Sequence, residues 1–152
     1  SVLFFYKNIG NLCSERTKIF ILLFLCLEPT IIQYHSSFWS ESFYFSLQLL
    51  IFGITLKSDK KNLDFLLLGF LLGLLFLQRT AGIFYIFLLI FYFIFFTKEK
   101  KYKTLFFILV PYIFILSLLG LHNYLRADRF YIMPTEGSYS QYRYFTKDTS
   151  II

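Results

Sequence analysis

Apolar and polar positions separate along this chain into blocks the length of helices, with apolar runs divided by short stretches of Lys, Ser, Asp and Asn. The longest block, Phe65 to Phe96, is broken only by Gln78, Arg79 and Thr80 among non-apolar residues. A bilayer crossing takes about 20 apolar residues, so this block is too long for one span and fits a helical pair turning at Gln78 to Gly82. The same pattern predicts spans over Phe38 to Leu56, Leu63 to Leu77, Ile83 to Phe96 and Leu105 to Leu121. A shorter one runs from Ile19 to Leu27, extending to Ile32 if Pro29 only bends it. The polar stretches between them, Lys7 to Lys18, Lys57 to Lys61 and Lys98 to Lys103, read as loops. The chain opens at Ser1 inside the apolar run Val2 to Tyr6, which reads as the remainder of a truncated first helix. The expected fold is therefore all-α, a polytopic transmembrane helical bundle of about five spans plus that stub. It divides into a membrane region over residues 1–121 and a polar outer-face loop or tail over 122–152.

One of these segments departs from uniform apolarity. If Ser37 to Lys57 is helical, then Ser37, Glu41, Tyr44, Gln48 and Thr55 recur at offsets of three, four and seven and share one face. A polar stripe on a spanning helix must face protein or a water-filled cavity, because a charge in lipid costs roughly 2.5–3.5 kcal/mol even on the lenient insertion scale. Glu41 is thus a candidate for a site, with a buried ion pair to Arg79 as the competing structural explanation.

Composition reinforces the membrane reading. Hydrophobic residues make up 57% and aromatic residues 23% of the chain, well above the roughly 45–50% apolar content of soluble domains. The dominance of Phe, Tyr, Ile and Lys with little Ala reads as an AT-rich codon bias. No cleavable signal peptide is legible, since Val2 to Tyr6 is too short for an apolar core and lacks a basic flank. Several apolar cores are short, about 14 residues or roughly 21 Å against about 30 Å of hydrocarbon, so flanking Lys and Tyr must snorkel.

Charge gives the orientation. Lys7, Arg16, Lys18, Lys57, Lys60, Lys61, Lys98, Lys100, Lys101 and Lys103 all fall on one side, whereas the opposite loops before the tail hold only Arg79. By the positive-inside rule the lysine side is cytoplasmic. His35, Trp39, Glu41, Arg79, His122, Arg126 and Arg129 then lie at or beyond the outer face, which is the periplasm for a bacterial inner membrane and the lumen for a eukaryotic one. Nine of the ten lysines are in the cytoplasmic loops, and four of the five arginines (Arg79, Arg126, Arg129 and Arg143) are outside. Arginine outside suggests anion recognition, because a guanidinium fork binds phosphate oxygens two at a time. The bland alternative places these arginines among lipid headgroups. Arg79 stands apart because a short connection between two apolar helices holds its charge at one depth.

Other chemistry is thinly represented. Cys13 and Cys26 lack any metal-ligand or CxxC spacing, and His35 and His122 lack HxH or HExxH partners, so a metal site would need long-range assembly. There is no phosphate-binding glycine loop, no GxSxG elbow and no nucleotide fingerprint. Nucleic acid is not an expected partner. Trp39 and the tail tyrosines could stack on sugar rings, although an interfacial aromatic belt accounts for them as well. Gly69 and Gly73 form a GxxxG that favours close helix packing within the chain over a dimer interface. Pro111 is expected to kink the last span.

Taken in order, Pro29, Ser40-Glu-Ser42 opening a helix, Gly69 to Gly73 running into Gln78-Arg-Thr-Ala-Gly82, then His122-Asn-Tyr-Leu-Arg-Ala-Asp-Arg-Phe130 leading to Thr135-Glu-Gly-Ser138 resemble the polytopic glycosyltransferases that use polyprenyl-phosphate sugars. These form the GT-C superfamily, with protein O-mannosyltransferase and lipid A aminoarabinose transferase relatives. The likeness spans Pro29 to about Tyr142 in short motifs. It departs from the family at Arg79, which is followed by Thr80 where the family turn has Pro. The resemblance implies inverting transfer of a sugar from a polyprenyl-phosphate donor to a lipid, glycan or protein acceptor on the outer face. It further implies that the usual acidic residues of the first outer loop lie upstream of this sequence, the general base among them. Arg79, Arg126 and Arg129, with His35, His122 and Asn123, would then bind the donor and its leaving phosphate. Glu41, the catalytic candidate, would bind sugar hydroxyls, help position a base or hold a divalent cation. A transporter or flippase for lipid-linked sugars, or a polysaccharide polymerase, would use the same outer arginines.

Overall fold

The computed structural model describes residues 1–9, 13–29, 40–96, 101–127, 130 and 132. Every regular element among them is helical: α1 (Val2–Asn8), α2 (Glu15–Leu27), α3 (Ser40–Leu56), α4 (Asn62–Gln78), a 3-10 turn (Thr80–Gly82), α5 (Ile83–Phe96) and α6 (Lys101–Ala127). Helix α3 packs on α1 and α4, α4 packs most extensively on α6, and α5 lies against α4 and α6. The core is the seam they share. It draws Leu47, Ile51 and Ile54 from α3, Leu68, Leu72 and Leu75 from α4, Ile86 and Phe93 from α5, and Ile108 and Tyr112 from α6. Phe65 meets Phe93 edge-to-face at 5.8 Å between ring centroids, an arrangement favoured by the ring quadrupoles.

The α4–α6 seam depends on glycine. A methyl carbon built on Gly69 would lie 2.1 Å from the Ile108 carbonyl oxygen and 2.6 Å from Cγ of Pro111, and one on Gly73 would lie 2.5 Å from Cδ1 of Ile115. Only hydrogen fits, so the two backbones approach closely, as small-xxx-small pairs allow. The GxxxG therefore serves packing within the chain. Residue numbers rise together along this contact, so α4 and α6 run parallel. Pro111 cannot donate to the Phe107 carbonyl, yet α6 continues through it as one element. Its ring lies against Gly69.

The turns of the α3–α4–α5 meander each have a local cause. At the lysine end, Lys57 donates to both oxygens of Asp64 at 2.9 Å, and the Lys61 amide donates to the same carboxylate at 2.7 Å. The carboxylate thereby joins the end of α3 to the first turn of α4, where an acidic group also complements the helix dipole. Burial holds the nearby Lys60 ammonium below its ordinary pKa, opposed by Asp64 and reinforced by Lys57. At the other end Arg79 is extended (φ −151°, ψ 136°) and ends α4. The chain then turns through Thr80–Gly82, with Gly82 against the backbone of Leu75 and Phe76.

Three boundaries differ from the sequence expectation. Helix α2 begins inside the stretch read as a polar loop, because Ser14 caps it by accepting the Thr17 amide at 3.3 Å and Glu15 occupies its first turn. Lys18 is consequently on a helix, buried, and paired with Glu15. Helix α6 starts at Lys101 and ends at Ala127, beyond the expected Leu105 to Leu121 at both ends. The polar residues there continue its buried face, with Thr104 and Asn123 falling on the stripe that includes Ile108, Tyr112 and Ile115. The turn at Gln78 to Gly82 is where the pattern put it.

By length and composition, α6 alone among the described residues is long and apolar enough to cross a membrane, over Lys101–Leu125. Helices α3, α4 and α5 are apolar but shorter. Their 17, 17 and 14 residues correspond to about 21–25 Å at 1.5 Å per residue.

Candidate functional site

The α3–α4–α5 meander returns α3's first turn, α4's last residue and α5's first turn to one pole, opposite the Lys57–Lys61 turn. Because α6 runs parallel to α4, its C-terminal turns end at this pole too. Extending the Gly73–Ile115 contact along both helices puts Gln78 level with the turn of Gly120. Topology alone thus gathers Glu41, Arg79, His122 and Asn123 at one end of the bundle.

The centre of that pole is an ion pair between Nη2 of Arg79 and Oε1 of Glu41. Both partners stay in reach of the surroundings, the arginine side chain 45% and the glutamate 28% exposed. The guanidinium carbon also sits 5.7 Å from the Tyr44 ring centroid, inside the roughly 6 Å range of cation–π attraction. One helical turn deeper, the Gln48 amide donates to the Tyr85 hydroxyl at 2.5 Å, and Tyr85 meets Phe52 edge-on at 6.1 Å. Deeper still, the Thr55 hydroxyl donates to its own helix at the Ile51 carbonyl, 2.7 Å away.

The polar stripe on α3 therefore faces protein over its described length. Glu41 and Tyr44 receive Arg79, Gln48 receives Tyr85, and Thr55 is satisfied within α3; Ser37 lies outside the described residues. Glu41 does pair with Arg79, but at the mouth of the helices and partly exposed, where the competing explanation had the pair buried. Asn123 is 2% exposed on the α4-facing stripe of α6 and has interactions of its own, while His122 is exposed. His35, Arg129 and the side chain of Arg126 lie outside the described residues. Among the described residues no group of three or more His, Cys, Asp or Glu could hold a metal ion.

One participant in the site, and one ion pair at the opposite pole, are not marked by the apolar pattern. Tyr85 was hidden in an aromatic run, Ile83 to Phe96, where nothing separates one tyrosine from its neighbours. Its position three residues past the turn, opposite the Gln48 stripe, is the only signal, and it needs the hairpin to be read. The Lys57–Asp64 pair joins a lysine of the expected loop to an acid just inside the expected Leu63 to Leu77 span, and nothing in the apolar pattern pairs the two.

Chemically, this arrangement holds a guanidinium at fixed depth between apolar helices, clamped from one side by a carboxylate and from below by an aromatic ring. Such a group can receive a phosphate or carboxylate through its fork. No family model matches the chain, and neither does any curated protein or solved structure.

Proposed function

We propose that this chain is a polytopic membrane bundle whose Arg79 pole binds the phosphate of a polyprenyl-phosphate sugar, in an enzyme that transfers the sugar to an acceptor at that face. The membrane part of the reading is supported by what the helices expose. Phe84, Phe87, Leu88, Phe91 and Phe95 form an exposed stripe along α5, and α6 adds Phe106, Val110, Phe114, Leu118, Leu121 and Leu125. Monomeric soluble proteins rarely show contiguous apolar surface beyond a few hundred Å², and lipid tails are the medium in which such faces cost nothing. The shorter helices α3 to α5 reach both interfaces through flanking Lys and Tyr and local thinning. With the lysine turns cytoplasmic, the Arg79 pole faces the periplasm of a bacterial inner membrane.

The observation that carries the functional reading is the placement of Arg79. A fork-shaped cation stands on a tight turn between two apolar helices, half exposed and oriented by Tyr44 and Glu41, which is the lipid–water boundary if those helices cross the membrane. A donor with its prenyl chain in the bilayer brings its phosphate to that depth. Sugar transfer breaks the bond between the anomeric carbon and the phosphate oxygen, leaving charge on the phosphate, and preorganised cationic donors aimed at it lower the barrier. The resemblance to polyprenyl-phosphate glycosyltransferases supplies the reaction class.

Transfer from a radiolabelled polyprenyl-phosphate sugar in membranes containing the full-length protein tests the proposal. Arg79→Lys keeps the charge but loses the parallel pair of hydrogen bonds, so transfer efficiency is expected to fall about ten- to a hundredfold, with Arg79→Ala lower still. Wild-type kinetics in the Lys variant would make Arg79 an interfacial anchor instead, and movement of the labelled donor without transfer would point to a carrier.

A further inference from the structure

Arg79 is already engaged by an internal anion. Glu41 on α3 and Arg79 at the end of α4 form their pair across 38 residues of chain, at the mouth of the bundle. A carboxylate offers a guanidinium the same two-oxygen edge that a phosphate does. We propose that Glu41 is a built-in stand-in for the ligand phosphate, occupying Arg79 until a phosphate displaces it, so that it sets which anions Arg79 accepts. This inference rests on the reading of Arg79 as the phosphate-binding residue.

Three features of the pole suit an exchange. Exposure is the first, since a 45% exposed arginine side chain lets an incoming anion reach the guanidinium before Glu41 has left. The pair is also weak enough to exchange, because partly exposed ion pairs contribute little and are screened by salt. Finally, Tyr44 gives the guanidinium a second contact, independent of Glu41, so Arg79 keeps its orientation when the carboxylate swings away. The ring belongs to the same helix as Glu41, one turn further in, and its position does not depend on the glutamate rotamer.

The consequence is selectivity. A singly charged carboxylate ligand gains no more from Arg79 than Glu41 does and must also remove a tethered competitor held at high effective concentration. The polyprenyl monophosphate released by transfer, a monoester bearing up to two charges and three acceptor oxygens, displaces it more fully than the donor, a diester with one charge, so the exchange favours the state in which charge has developed on the leaving phosphate. Once displaced, the Glu41 carboxylate is repelled by the bound phosphate and turns away from it.

Binding to the purified full chain in detergent tests this directly, by isothermal titration with a short-chain polyprenyl monophosphate and, in parallel, inorganic phosphate. Glu41→Gln is expected to bind both probes about fivefold more tightly than wild type, the competition being gone. A gain confined to the polyprenyl ester identifies a lipid phosphate as the displacing anion; an equal gain for inorganic phosphate identifies the phosphate group alone. Acetate binding is expected to be negligible in wild type and to become measurable in Glu41→Gln. Adding Arg79→Gln to Glu41→Gln is expected to abolish the gain. If Glu41→Gln does not fold, Glu41→Asp, with its carboxylate drawn back from Arg79, is expected to bind more tightly as well. Unchanged or weaker phosphate binding in the folded variant overturns the exchange, as does the absence of phosphate binding in both proteins. Sugar transfer by wild type with unchanged Glu41→Gln affinity would overturn the exchange and leave the proposed function standing, whereas tighter binding without any transfer would do the reverse.

Discussion

Replacing Gly69 by alanine adds one methyl group where the structure leaves room for a hydrogen. Its carbon would stand 2.1 Å from the Ile108 carbonyl oxygen and 2.6 Å from the Pro111 ring, so α4 and α6 must separate by more than an ångström. Neither obstacle can rotate away, because one is backbone and the other a ring fused to backbone. Overpacking of a close-packed seam costs about 1–3 kcal/mol, against which the better helix propensity of Ala returns up to about 1 kcal/mol. A net loss of about 1–2 kcal/mol is expected. At Gly73 the new methyl meets the Ile115 side chain, at 2.5 Å from Cδ1 and 2.9 Å from Cβ, and the terminal carbon can change rotamer, so Gly73→Ala is expected to cost less. Reversible unfolding in mixed micelles with increasing SDS, followed by far-ultraviolet circular dichroism, measures both. Since the seam is within one chain, cross-linking should show the same oligomeric state for wild type and both variants. Equal stability of Gly69→Ala and wild type, or a larger loss at Gly73, would refute the close approach of α4 and α6.

Tyr85→Phe removes the acceptor of the Gln48 amide, and in a membrane interior such losses run to about 0.6–1.7 kcal/mol. Adding Gln48→Leu should recover much of it by removing the orphaned amide, a non-additivity that the same unfolding assay reads. Asp64→Asn takes away the charge that holds Lys57 and weakens the acceptor for the Lys61 amide. The two side chains are 35% and 17% exposed, so the expected loss is only about 1 kcal/mol, and it should shrink as salt is raised. A salt-independent loss would mean that the contact works as a helix cap and not as an ion pair.

Much of this architecture is legible in the chain because apolar runs and their interruptions are long-range signals. The break at Gln78 to Gly82 falls where the α4–α5 turn is, and the three- and four-residue spacing of Glu41, Tyr44 and Gln48 marks the face that meets protein. Gly69 and Gly73 announce a close approach, and the structure supplies its partner, α6. What the sequence leaves open is pairing. Glu41 could have faced water or any of the outer arginines, and only the return of α4 beside α3 selects Arg79. Tyr85 looks like its aromatic neighbours until Gln48 is placed opposite. The ends of α2 and α6 were hidden for a different reason: charged residues such as Lys18 and Lys101 read as loop, although a helix keeps its hydrogen bonds through a charged turn. Ser14, Glu15 and Thr17 at the start of α2 are a local capping signal that hydropathy does not register.

The proposed function requires that α4 cross the membrane and carry Arg79 to the side opposite the Lys57–Lys61 turn. Single cysteines at Ser58 and Ala81, introduced after Cys13 and Cys26 are replaced by serine, sit in the two turns that bracket this helix. Treating intact cells with a membrane-impermeant maleimide measures their sidedness directly. Labelling of the Ala81→Cys protein, with Ser58→Cys protected until the cells are permeabilised, is the expected result. Labelling of Ser58→Cys with Ala81→Cys protected would reverse the orientation, and equal reactivity of the two in intact cells would contradict a membrane-crossing α4 altogether.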